Sequence, residues 1–75
     1  MTRKELIKKL KPYWKKIMDL NFQYMNDIIA LEDKMQKEFE IEDLEIFHCD
    51  GEPVGIGNYE RTIKLIHAFE IEKEK

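Results

Sequence analysis

Nine residues, Ile7, Leu10, Trp14, Ile17, Asn21, Tyr24, Ile28, Leu31 and Met35, follow one another at alternating steps of three and four. Only an α-helix carries residues at that spacing onto one narrow face, so they form an a/d heptad seam. Eight of the nine are apolar or aromatic, and Asn21 is the exception. The spacing predicts one continuous helix over residues 3–39, about 55 Å long at ~1.5 Å per residue. Thr2 and Glu5 supply a T-x-x-E capping box at its start. Pro12 deletes one backbone hydrogen bond, but the heptad register is the same on both sides of it, so a bend is expected rather than a break. A second stripe, Met18, Phe22, Met25 and Ile29, runs beside the seam and widens the apolar arc.

Such a helix is long for a chain of 75 residues. A domain of this size buries only about 60% of its unfolded surface, and reinforcement is usual. The single Cys49 excludes an intrachain disulfide, and no Cys/His cluster has zinc-finger spacing. Pairing of the seam between copies is therefore the expected reinforcement, giving a homo-oligomer.

Beyond the seam, Glu40–Glu45 interrupts the helical pattern as an acidic connector. A β-hairpin follows over residues 44–56, with strands Leu44–His48 and Glu52–Ile56 about an Asp50-Gly51 turn. Pro53 suits a strand's first residue or edge, and Gly55 and Gly57 end the return strand. Asn58 is read as the N-cap of a last helix spanning residues 58–71, before a charged tail over 72–75. Ile63, Leu65, Phe69 and Ile71 also alternate as in a strand, but the Asn cap and the i, i+3 apolar pairs favour helix. The expected fold is a single α+β domain in the order α-β-β-α: a long N-terminal amphipathic helix, a short hairpin and a C-terminal helix.

Charge is segregated along the chain. Residues 1–16 hold seven basic groups against Glu5, a net of +6, whereas residues 17–75 hold six basic and fifteen acidic groups, a net of −9. In an antiparallel helix pair crossing at Asn21, the basic third of one chain lies beside Glu32, Asp33, Glu38, Glu40 and Glu42 of the other. Antiparallel pairing is thus expected.

The first candidate site is Gly55-Ile56-Gly57-Asn58-Tyr59-Glu60-Arg61-Thr62, a glycine-rich turn entering a helix whose backbone N–H groups suit a phosphate. Arg61 offers a bidentate contact and Tyr59 a stacking face. Lys11, Tyr13 and Lys15, from the lysine- and aromatic-rich segment 8–16, would complete the site from a neighbouring subunit. The turn lacks a third glycine and a P-loop lysine, and Glu60 opposes an anion there. A composite of this kind suits a small phosphorylated or cyclic nucleotide better than duplex DNA, which the acidic remainder repels.

A second candidate is the acidic connector Glu38, Glu40, Glu42, Asp43 and Glu45, a surface for a macromolecular partner. His48-Cys49-Asp50 with Glu52 does not make a metal site, because consecutive strand residues point to opposite faces. No nucleophile–base pair is evident, so neither enzyme nor cofactor is expected. The functional expectation is a binding protein that recognises and occludes a macromolecular partner, such as a phage or mobile-element inhibitor of a host system. The alternative is a protein that sequesters a small anionic ligand, plausibly a signalling nucleotide. The absence of an apolar leader or membrane span, with one cysteine, leads to the expectation of a cytoplasmic protein, in the host cytoplasm if phage-encoded.

Overall fold

The computed structural model describes residues 2–58 and 64–74. Its elements are α1 (Arg3–Met18), α2 (Met25–Phe39), β1 (Leu44–Cys49), β2 (Glu52–Asn58), β3 (Ile66–His67) and α3 (Ala68–Glu72). The fold is α+β: two helices, a three-stranded antiparallel sheet in the order β1-β2-β3, and a C-terminal helix.

Thr2 caps α1 as expected, while the Glu5 carboxylate accepts from the Thr2 hydroxyl instead of its backbone N–H. Thr2 Oγ1 accepts from the Glu5 backbone N–H at 3.2 Å, and α1 runs through Pro12 without interruption.

The single helix over 3–39 is corrected: the chain leaves the helix after Met18 and re-enters one at Met25. Asn21 sits in the turn, where its Oδ1 accepts from the Gln23 backbone N–H at 3.0 Å and its carbonyl accepts from Tyr24 N–H at 2.9 Å. A short polar side chain that bonds its own backbone offers an alternative to the helical ladder. Phe22 turns inward at the same place and lies 4.7 Å from the His48 ring, centroid to centroid.

Both halves of the seam therefore face one interior. Leu10, Trp14 and Ile17 of α1 and Ile28 and Met35 of α2 are buried in the same core, with Ile7 and Leu31 packed against it. Asn21 and Tyr24 are exposed. The heptad phase survives the turn because two helices cover one sheet face, and seven of the nine seam residues are covered within the chain. Of the second stripe, Phe22 is buried while Met18, Met25 and Ile29 stay exposed around the turn.

The hairpin is longer than expected. Asp50 and Gly51 adopt φ of 52° and 81°, the left-handed pair a two-residue hairpin turn demands. One register shift falls between Phe47 and His48, and β2 continues past both glycines to Asn58. Ile46, Ile56 and Ile66 stand in one row across the three strands and face the helices.

The helix over 58–71 is corrected as well. Asn58 is the last residue of β2, Ile66–His67 is a strand, and among the described residues of that stretch helix occupies only Ala68–Glu72. Residues 59–63 of that expected helix lie outside the described residues. β3 ends and α3 begins at His67, whose backbone N–H donates to Glu70 Oε2 at 2.8 Å.

Both sheet edges are closed by side chains. On the β1 edge, Ile46 N–H donates to Glu32 Oε2 at 2.8 Å and Leu44 C=O accepts from Gln36 Nε2 at 3.0 Å. On the β3 edge, Arg3 donates to the carbonyls of Lys64 and Leu65 and pairs with Glu70 at 3.1 Å. The His67 N–H and Arg3 hold the Glu70 carboxyl below the usual range.

Candidate functional site

The polar face of α1 is what the fold leaves available. Lys4, Lys8, Lys11 and Lys15 follow at steps of four, three and four along one line of the helix, and Lys9 and Lys16 form a second line seven residues apart. All six lie on the side opposite Leu6, Leu10, Trp14 and Ile17. Lys11 Nζ donates to the Glu72 carbonyl at 3.3 Å. Among the described residues, Lys4, Lys8, Lys9, Lys15 and Lys16 have no carboxylate at salt-bridge distance. Glu5, the only carboxylate of the first sixteen residues, is held by Thr2 at the helix start.

Beside this face lies a groove of about 450 Å³ lined by Lys9, Pro12, Tyr13, Lys16, Glu38 and Phe39. Tyr13 and Phe39 meet edge-to-face with centroids 5.6 Å apart. The Lys16 ammonium rests over the Tyr13 ring at 5.5 Å. The Tyr13 phenol donates to Glu38 Oε2, and that bond, with burial and the carboxylate's charge, pushes the phenol up to about 12. Pro12 and the two rings make the floor; Lys9 and Lys16 flank it, about 10 Å apart along the axis.

The residues expected to bind a phosphate are placed differently. Gly55 and Gly57 are interior strand residues whose backbone runs in the ladder, so they do not form a turn at a helix N-terminus. Their lack of a side chain serves close packing: a Cβ on Gly55 would lie 2.5 Å from the Ile66 carbonyl oxygen, and one on Gly57 3.1 Å from the Phe47 ring. Asn58 is buried, with Nδ2 donating to the Glu42 carbonyl at 3.5 Å. Tyr59, Arg61 and Thr62 fall outside the described residues. Of the basic part, Lys15 is exposed, Lys11 is engaged with Glu72, and Tyr13 belongs to the groove.

The acidic connector is dispersed rather than one surface. Glu38 faces the α1 groove and Glu45 is half-buried on β1. Glu40 and Asp43 hold left-handed backbone at φ 55° and 56° and shape the exit from α2, with Glu42 exposed between them. His48 packs on Phe22, and the Cys49 thiol lies 3.9 Å from Asp50. No group of three metal-ligating side chains occurs among the described residues, and no described helix is long and apolar enough to cross a membrane.

Lys9, Lys16 and Phe39 were not among the expected site residues. The i, i+7 placement of the two lysines about Pro12-Tyr13 was a usable signal; the approach of Phe39 was not, because it follows from the turn at Asn21. The edge-capping pair Glu32 and Gln36 was likewise missed, although its i, i+4 spacing puts both groups on one face of α2. Comparison with protein-family models, with curated proteins and with solved structures finds no match to this chain.

Proposed function

We propose that this is a non-enzymatic binding protein that recognises and occludes an acidic surface of a protein partner with the lysine face of α1. The observation that carries the reading is the contrast in pairing. Arg3, Lys11, Glu32, Gln36 and Glu70 are all engaged within the fold, whereas five lysines on one helix face have no acidic partner among the described residues. That face is unfavourable for stability. Like charges at i, i+4 repel by roughly 0.2–0.5 kcal/mol per pair, and a proline inside a helix costs about 3 kcal/mol. Local rules broken together on one surface mark functional sites more often than faults in folding.

Self-association is no part of this reading, since the seam that called for it lines the core. Sequestration of a small anion has less support. The glycines are strand residues, and Glu38 puts a carboxylate in the groove beside the lysines.

The test is titration of the full chain with fluorescent poly-glutamate, read by anisotropy. Binding should weaken steeply with salt, because exposed charges are screened beyond about 8 Å at physiological ionic strength. It should vanish in the Lys4→Glu/Lys8→Glu/Lys15→Glu variant with circular dichroism unchanged. Absence of binding at low salt, or binding indifferent to these substitutions, contradicts the reading. A thermal-shift screen with nucleotides tests the small-anion alternative in parallel.

A further inference from the structure

We infer that the groove beside α1 is an anchor site for one aromatic side chain of an acidic peptide segment, with a carboxylate two residues to either side of that anchor. This rests on the reading of α1 as a docking face and names the chemistry the face selects. The floor supplies the anchor's environment: Pro12, the Tyr13 ring and the edge of Phe39, in about 450 Å³. A third ring entering there continues the edge-to-face contact already made by Tyr13 and Phe39, the arrangement aromatic quadrupoles favour. The Lys16 ammonium now covers the Tyr13 ring. A carboxylate beside the anchor draws that ammonium aside, exchanging a cation–π contact for an ion pair and opening the ring face.

Spacing sets the motif. Lys9 and Lys16 lie seven residues apart, about 10 Å along the helix at ~1.5 Å per residue. Side chains on one face of an extended chain recur every two residues, so positions two before and two after an anchor stand about 13 Å apart at ~3.3 Å each, within reach of two long lysine side chains. Carboxylates four positions apart, with the anchor midway on the same face, therefore reach both lysines at once.

Glu38 narrows the choice of occupant. Its carboxylate lies in the groove and accepts from the Tyr13 phenol, so the floor repels a phosphate but admits an uncharged ring. Negative charge is welcome only at the lysine rim. A nucleic acid strand, with a charge at every residue, fits that pattern less well than a peptide whose charges flank an apolar anchor.

The experiment uses the full chain and four labelled probes in anisotropy titrations. The first is a ten-residue Gly/Ser peptide carrying a central Glu-Ser-Phe-Ser-Glu. The others are the same peptide with alanine for phenylalanine, the same with glutamine for both glutamates, and a ten-nucleotide oligothymidylate. The parent peptide should bind at least tenfold more tightly than either altered peptide and than the oligonucleotide. The exposed double variant Lys9→Glu/Lys16→Glu, checked by circular dichroism, should lose the preference. Equal binding of the parent and alanine peptides overturns the anchor site while leaving the acidic docking face standing. No binding of any acidic peptide or of poly-glutamate overturns both. Tighter binding of the oligonucleotide overturns the peptide assignment in favour of a nucleic acid strand.

Discussion

The two long helices carry halves of one heptad pattern, yet their polar faces have opposite fates. On α2 several polar side chains find partners within the chain. Glu32 and Gln36 close the β1 edge, Glu38 meets Tyr13, and Lys37 pairs with Asp33 at 3.0 Å. On α1, among the described residues, Arg3 reaches the segment leading into β3, Lys11 and Trp14 reach Glu72 and Tyr13 meets Glu38, whereas Lys4, Lys8, Lys9, Lys15 and Lys16 are exposed without an acidic partner. The apolar stripes make both helices core elements, while polar side chains of α2 hold other parts of the fold and five lysines of α1 have no acidic partner among the described residues.

The largest effect tests that shared role. Leu10→Ala on α1 and Met35→Ala on α2 each remove a fully buried side chain, and each should destabilise by about 2–5 kcal/mol. Chemical denaturation of both variants checks this. If the seam instead joined two copies, the midpoint would move with protein concentration, as association links stability to mass action; here it should not.

Next in size is the polar face of α2. Glu32→Ala leaves the Ile46 N–H without its acceptor and should cost roughly 1–3 kcal/mol. Glu32→Gln keeps a carbonyl oxygen within reach and should be neutral or stabilising at pH 7. Burial is the largest influence on Glu32 and raises its carboxyl above the ordinary value; the Ile46 N–H opposes it. A carboxyl raised on folding favours the protonated form, so its contribution is most favourable below the unfolded value and is lost as pH rises through the folded one. Denaturation at pH 4 and pH 7 should accordingly show a smaller gap between Glu32→Gln and the parent at the lower pH.

These expectations also show what was legible in the sequence. The Thr2 cap of α1, the Asp50-Gly51 turn and the α+β class follow from local chemistry, and local chemistry is what a sequence displays. The turn at Asn21 was hidden because neither proline nor glycine marks it and the heptad phase runs straight through. Only the need of two helices to cover the row of Ile46, Ile56 and Ile66 makes the chain fold back there. Gly55 and Gly57 were misread for a similar reason. Their purpose, room for the Ile66 carbonyl and for Phe47, exists only once β3 is in place. The lysine face was plain from the charge asymmetry, but its groove depends on Phe39 reaching α1.

A smaller effect probes the contact between the two helices. The sequence contains three tyrosines, and spectrophotometric titration at 295 nm should find one ionising near pH 12, that of Tyr13. Because folding raises this phenol from 10.0 to about 12, the stability it contributes is present below pH 10 and is lost as pH rises toward 12. In Tyr13→Phe the high-pH step should disappear and the alkaline loss of stability should become shallower.

The smallest effect on stability is the one that bears most on function. In the Lys4→Glu/Lys8→Glu/Lys15→Glu variant the pair at positions 4 and 8 stays like-charged while positions 8 and 15 become opposite in sign to Lys11, so stability should change by no more than about a few tenths of a kcal/mol. Poly-glutamate binding, measured on the same sample, should be abolished. A variant that unfolds, or one that binds as well as the parent, would mean that the lysines of α1 serve the fold or serve nothing, and the division between the two helices would not hold.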